Sequence, residues 1–351
     1  MSAQKEVTIY DIAEALDLSP ATVSRGLKDH PAIKKDTRKR IFDKAREMGY
    51  QQNMFASNLR RSRSNTIGVI VPRLNSYFMS AVISGMEKVA NAAGYNLIIS
   101  QSTESKEKEL ANIKTLYNSR VDGLLVSLAY DSEDISHFDL FLNKGIPLIF
   151  FDRVFEHPKC ASIVIDNYKA GYEITNHLIN QGSTRIAHIT ANIKQNVYAD
   201  RLKGYKHALA DNNIPFDDRL VYYCNLSEQA GAEVTQQILE MPQLPDGIFT
   251  ANDTTAVSCI RTLKQAGIKI PEQIAIAGFN NDPLSKVIEP NLTTMNYPGQ
   301  EMGELAASTL IRKLDSKEGK SLNTIVLHHN LIVRESSLRS RPLLPLIDAI
   351  L

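Results

Sequence analysis

The chain has 351 residues, of which 43% are hydrophobic and 23% charged, with 40 Lys and Arg against 39 Asp and Glu. This length exceeds one ordinary domain, and the ordinary composition excludes a disordered or collagen-like chain. Charge is uneven: residues 1–64 hold 13 basic and 8 acidic side chains, a balance of +5, against −4 for the remainder, so the head is the part suited to nucleic acid.

The first residues show no apolar core of a secretory signal, and no stretch approaches the roughly 18 apolar residues of a membrane span. A cytoplasmic protein with no membrane partner is expected. Cys160, Cys224 and Cys259 lie far apart without a C-x-x-C, so they read as small buried residues in a reducing compartment.

The run "TIYDIAEAL" predicts a helix: Thr8 can cap it, Asp11 completes a T-x-x-D box, and Ile9, Ile12, Ala13 and Leu16 fall at helical spacing. The pattern breaks at Asp17-Leu18, then Ser19 suits an N-cap and Pro20 a first helical position. Two short helices across a tight turn, the second rich in hydroxyls and Arg, make a helix-turn-helix pattern. Val23 and Leu27 should face inward, leaving Pro20, Ala21 and Arg25 for the major groove. Arg25 could donate to guanine O6 and N7, and Ala21 could touch a thymine methyl; Thr8, Thr22 and Ser24 suit phosphates. Tyr10 and Ser19 complete the candidate DNA-facing set. A third helix is predicted from about Lys35 to Met48, stopped by Gly49. From Arg25 to Arg46 there are nine basic residues against three acidic ones. Next comes "NMFASNLRRSRSN", Asn53 to Asn65, basic yet dotted with apolar residues.

The stretches "TIYDIA", "SPATVSRGL", "TRKRIFDKAREMGY" and "TIGVIVP" resemble the lac/galactose repressor family of bacterial transcription regulators. Two departures are Lys34, where that family usually has a capping Ser, and Gly26 inside the reading helix. The resemblance implies a hinge helix that forms on operator DNA. Asn53 would be its N-cap, Ala56 would pack across a dimer axis, and Leu59 would enter a base step in the minor groove.

From Thr66 short apolar runs alternate with helical segments: "IGVIVP", "YNLIISQS", "VDGLLVSL" and "IPLIFFD", then "RIAHITA", "DGIFTAND" and "IAIAGFNND". This predicts parallel α/β sheets in two halves with a cleft between them. Ligands of such sheets bind beyond the carboxyl ends of the strands. The candidates there are Asn75, Tyr77, Phe78, Asp152, Arg153, Asn252, Asp253, Asn280 and Asp282. The same family resemblance extends over this body to about residue 338 and implies a periplasmic-binding-protein-like, sugar-binding fold. It implies that Asn75, Tyr77 and Phe78 bind and cover a sugar, and that Asp152 and Arg153 grip hydroxyls. Arg201 would reach in from the second lobe, with Asn252 as an amide partner. Asn280, Leu226 and Tyr297 stand where the family more often has Asp, a stacking aromatic and Gln, which tilts the expected pocket positive and toward a sugar acid or sugar phosphate. The alternatives are structural: an Asp152–Arg153 ion pair, a core Phe78, turn residues at Asn280-Asn281 and a local cap or pairing role for Arg201.

No dinucleotide, P-loop, hydrolase or zincin motif occurs, and His328-His329 alternate faces on a strand, so no enzyme, metal or cofactor is expected. The expected α/β chain has an N-terminal all-α helix-turn-helix domain over 1–52, a hinge helix within 53–65, and a two-lobed parallel α/β periplasmic-binding-protein-like domain over 66–338. The N-lobe takes about 66–166 and 298–326, the C-lobe about 167–296 and 327–338, and 339–351 is a tail whose Pro342 and Pro345 rule out a long helix. The function expected is that of a homodimeric regulator, repressing carbohydrate genes at a pseudo-palindromic operator and switched by a sugar-like effector.

Overall fold

The computed structural model describes residues 7–50, 63–315 and 324–339. The hinge candidates Asn53, Ala56 and Leu59, and the tail from residue 340, lie outside the described residues. The chain divides into two compact units, 1–64 and 65–351.

Among its described residues the first unit has three helices, α1 (Ile9–Leu16), α2 (Pro20–Gly26) and α3 (Lys35–Glu47). Thr8 caps α1 in a full capping box with Asp11, and Asp17 ends it in the left-handed region (φ 55°). Ser19 caps α2, accepting from the Thr22 amide at 3.1 Å. Lys34 gives α3 no side-chain cap, in keeping with its departure from a capping Ser. Ile12, Ala13, Val23, Ile41 and Ala45 form the small core. Gly26 has a packing reason: a Cβ there would overlap the Ile41 side chain. The glycine that departs from the family pattern thus leaves room for Ile41 of α3 against α2.

The described residues of the second unit form two six-stranded sheets. In the first lobe β1 (Thr66–Val71), β2 (Asn96–Gln101), β3 (Gly123–Val126), β4 (Leu148–Phe151) and β5 (Ala161–Ile165) alternate with α4 (Tyr77–Ala92), α5 (Lys106–Asn118) and the single turn α6 (Asp139–Leu142). In the second lobe α7 (Asn167–Asn180) leads into β6 (Ile186–Thr190), α8 (Asn196–Asp211), β7 (Val221–Tyr223), α9 (Glu228–Leu239), β8 (Gly247–Thr250), α10 (Asp253–Gln265), β9 (Ala275–Asn280) and β10 (Thr293–Asn296). The chain then returns to the first lobe with α11 (Gly299–Asp315) and β11 (Thr324–Leu327), and ends in the second with β12 (Asn330–Ile332). Sheet orders are β11-β5-β4-β3-β1-β2 and β12-β10-β9-β8-β6-β7, parallel throughout except for antiparallel β12 on β10. The chain passes between lobes at Asp166, at Tyr297-Pro298 and at His328-His329.

The strands are near-continuous apolar runs because helices cover both faces of each sheet. Val69, Ile149 and Ile163 in the first lobe, and Ile189, Ile248 and Ile276 in the second, are wholly buried. In the second lobe α7 and α8 cross at a pair of glycines. A Cβ on Gly204 would overlap the Tyr168 carbonyl oxygen, and one on Gly171 would overlap backbone atoms of Arg201. Only glycine permits this approach, and it fixes where the Arg201 side chain starts. Gly204→Ala should therefore lower unfolding stability by about 1–3 kcal/mol or more through backbone overlap. Urea titration checks this, and an unchanged midpoint would show that the helices can part freely.

Candidate functional site

In the first unit the surface side of α2 is small and basic. Ala21 and Arg25 are exposed while Val23 is wholly buried. Pro20, Thr22 and Ser24 are half-buried, and Thr8, Ser19 and Tyr10 are exposed, Tyr10 by 67%. Several hydroxyls already serve the fold. Thr8 Oγ1 donates to Asp11 at 2.6 Å, and Ser19 Oγ lies 2.8 Å from Thr22 Oγ1. Arg25 sits in the last turn of α2, with its head exposed at the end of a seven-residue helix whose opposite face is core.

In the second unit a cavity of about 350 Å³ lies between the lobes at the strand ends. Asn75, Tyr77, Phe78, Asp152 and Arg153 line it from the first lobe; Arg201, Leu226, Asn252 and Asn280 line it from the second. The volume is at the small end of the roughly 300–1,000 Å³ of small-molecule sites. Tyr297 is absent from this lining and borders a neighbouring cavity with Tyr77, Phe78 and Asn280. Its hydroxyl donates to Asp152 Oδ1 at 2.9 Å, and its ring stacks on Phe78 with centroids 4.2 Å apart. Phe78 is thus both core and pocket wall.

Asp152 and Arg153 do not pair with each other, contrary to the structural alternative weighed from the sequence. Asp152 holds a left-handed backbone (φ 59°) and accepts from Ser127 Oγ at 3.1 Å as well as from Tyr297. Burial pushes its carboxyl up, and the Arg153 and Arg201 charges pull it back. Arg153 instead forks onto Glu104: Nη1 to Oε2 at 2.6 Å, Nη2 to Oε1 at 3.3 Å. Its Nη2 also donates to the Tyr198 hydroxyl at 3.2 Å, and its guanidinium lies 4.1 Å from the Tyr130 ring centroid. Its Nε is buried with no hydrogen-bond acceptor among the described residues.

Arg201 is 3% exposed and anchored rather than dangling. Nε donates to Asn167 Oδ1 at 2.9 Å, Nη1 to the Ala251 carbonyl at 3.0 Å, and the guanidinium lies 3.5 Å from the Phe279 ring centroid. Asn252 caps α10, accepting from the Thr255 amide and donating to the Leu226 carbonyl, both at 2.9 Å. Its amide has one N–H and one lone pair beyond these bonds, less than a free side chain would offer. Leu226 is buried in a left-handed conformation (φ 56°), and Asn280 also has positive φ (112°), where a side chain is strained.

The premise of a positive pocket also changes. The lining holds three guanidinium groups, on Arg73, Arg153 and Arg201, and four carboxyl groups, on Glu104, Asp152, Glu228 and Asp282.

Comparison with known proteins agrees with both units. Residues 8–53 match the model of bacterial regulatory proteins of the lacI family, and residues 175–337 match a periplasmic binding protein-like domain. The HTH-type transcriptional regulator RegA of Clostridium saccharobutylicum is 31% identical over 332 residues, covering 94% of this chain and 99% of that protein. The chain belongs to the lacI family. It is a DNA-binding transcription regulator, as its relatives are, and not an enzyme. The ribose operon repressor of Haemophilus influenzae is 29% identical, covering 94% of this chain and 98% of that protein. The lac repressor dimer, solved on its operator with an anti-inducer, shares the fold at a TM-score of 0.86 and 24% identity, covering 95% of this chain and 100% of that one. Among the described residues no helix is long and apolar enough to cross a membrane.

Sequence reasoning passed over several cleft residues of this lacI-family regulator. Glu104 and Tyr130 follow the ends of β2 and β3, so the strand-end rule that chose Asn75 could have found them. Tyr198 lies three residues before Arg201 on α8, on the same helical face. Asp282 was on the strand-end set, but its state was not legible. Burial pushes its carboxyl up to about 6, partly offset by a bond from the Asn280 side chain. A carboxyl whose folded pKa is raised costs stability when it ionises. The cost is absent below the unfolded value near 4 and complete above about 6. Asp282→Asn should thus raise stability at pH 7.5, by about 3 kcal/mol at most, and change little at pH 4. Urea titrations at the two pH values would reveal a pH-independent difference if burial were not the cause.

Proposed function

We propose that this regulator represses carbohydrate-metabolism genes as a homodimer on a pseudo-palindromic operator, and that a small sugar-like effector in the cleft switches it. The observation that carries the reading is the cleft itself: planar carboxylate, guanidinium and amide groups from both lobes converge on one cavity of about 350 Å³. Polyols offer alternating donors and acceptors that such groups meet in pairs. The orphaned Arg153 Nε–H is a donor that a sugar oxygen could satisfy. The likeness to a ribose operon repressor supports the substrate class without fixing the sugar.

In this reading Thr8, Tyr10, Ser19, Pro20, Ala21, Thr22, Ser24 and Arg25 form the DNA face. The four lining residues of the second lobe and the five of the first form the effector site, with Tyr297 holding Asp152. One helix-turn-helix per subunit serves one half-site, so a two-fold dimer calls for a palindrome. An effector that changes operator affinity must have its own affinity changed by DNA by the same factor.

Operator selection from random DNA, with and without a sugar panel, tests this. The expected result is a palindromic site whose occupancy at least one sugar alters. A non-palindromic site, or an occupancy that no sugar moves, would overturn the reading. Within the selected site, Arg25→Ala should cost about 1–3 kcal/mol of base discrimination while leaving effector affinity unchanged. Fluorescence anisotropy against the selected and a scrambled duplex measures that difference.

A further inference from the structure

Glu104 carries an inference that rests on the reading of the cleft as a sugar-effector pocket and narrows its ligand class. We propose that Glu104 is a specificity-determining residue, a built-in counter-anion that reserves the pocket for uncharged sugars. Two guanidinium groups of the first lobe converge on this one carboxylate. Arg153 grips it in a fork at 2.6 and 3.3 Å, and Arg73 Nε donates to Oε1 at 3.2 Å. A fork of parallel N–H groups is the preferred arrangement for a carboxylate or phosphate. The ligand-like group it holds belongs to the chain.

The local structure is arranged to keep it there. Glu104 follows β2 in the loop before α5, and Ser105 caps that helix by accepting from the Lys108 amide. Thr103 and Glu104 are consecutive non-glycine residues in the left-handed region, at φ 50° and 64°. Such backbone persists where surrounding contacts over-determine it, and it is enriched at binding sites. The Glu104 side chain is 11% exposed, so its charge is little screened by water. An incoming phosphate or sugar carboxylate taking the Arg153 fork would have to displace Glu104 from it and leave a mostly buried carboxylate with Arg73 as its one remaining guanidinium partner. That penalty does not fall on a neutral hydroxyl, which can share the remaining donors.

The anionic effector favoured by sequence therefore meets an intramolecular competitor. Arg201 offers no second fork, since its Nε and Nη1 are held by Asn167 and Ala251 and Nη2 is left as its single nitrogen toward the cavity.

The test uses the full-length protein in phosphate-free buffer, with inorganic phosphate as the anionic probe and ribose with ribose 5-phosphate as a matched pair. Wild type should bind phosphate only weakly by calorimetry. Glu104→Gln keeps the shape and one acceptor but removes the charge; it should bind phosphate roughly tenfold tighter or more. The double variant Glu104→Gln with Arg153→Gln should lose that gain, which separates the cleft from the basic head. Equal phosphate affinity in wild type and Glu104→Gln, or a gain that survives loss of Arg153, would overturn the proposal. If Glu104→Gln fails to fold, wild type still decides: tighter binding of ribose 5-phosphate than of ribose, or phosphate competing with a bound sugar, sinks it. A purely structural Glu104 would lower the melting temperature without changing the order of neutral and anionic probes. Failure of the sugar panel to move operator affinity would instead remove the sugar reading, and the phosphate arm would still report on Glu104.

Discussion

A guanidinium buried under the cleft ties together elements that are distant in sequence. Arg201 reaches from α8 to Asn167 at the first passage between lobes, to the Ala251 carbonyl after β8, and to the ring of Phe279 at the end of β9. A charge this deep is costly unless each donor finds a partner, and two carbonyl oxygens and an aromatic face supply that here. Burial pulls its pKa down, and the nearby Asp152 carboxylate opposes the fall. The position of Arg201 depends in turn on the glycines that let α7 and α8 touch backbone to backbone. Packing between two helices thus decides where one pocket donor points.

The first lobe solves the same problem differently. Arg153 is 6% exposed and takes a carboxylate, Glu104, as its partner, with Tyr130 beneath and Tyr198 across the cleft. Asp152, its chain neighbour, turns the other way into Ser127 and Tyr297. Two adjacent charged residues therefore serve opposite purposes. The left-handed backbone at Asp152 is the local feature that accompanies this separation.

This difference marks the limit of what the sequence could reveal. The head was legible because each signal is local: Thr8 with Asp11, Ser19 with Pro20, and Val23 against its outward neighbours all act within one turn. The two sheets were legible because buried parallel strands read as apolar runs. The strand-end rule indicated which loops border a cleft and the family resemblance added Arg201, Leu226 and Tyr297; nine of the resulting ten effector candidates line one cavity. Pairing was not legible, since it joins residues far apart in the chain. Arg153 to Glu104 spans 49 residues, Arg201 to Ala251 spans 50, and Tyr297 to Asp152 spans 145. No periodicity encodes these pairs, and the family resemblance assigned Arg153 to the ligand when the fold assigns it first to Glu104.

The contacts between lobes explain why ligand binding and lobe position should be one process. Gln195 Nε2, just before α8, donates to the Ala129 and Ser132 carbonyls of the first lobe at 2.8 and 3.2 Å. Next to it Asn196 Oδ1 accepts from the Val154 amide at 3.0 Å, and Tyr198 meets both Tyr130 and Arg153 at 3.2 Å. The receiving loop is itself braced, since buried Glu109 accepts from the Ala129 amide at 2.9 Å and from Ser132 Oγ at 2.7 Å. Arg153 and Tyr198 therefore both line the cavity and bond across the lobes. A ligand oxygen placed on either must add to, or compete with, a contact that holds the lobes together. A ligand shifts an equilibrium only by its difference in affinity for the two states. Shared residues of this kind supply that difference directly, with no separate pathway between pocket and lobe interface.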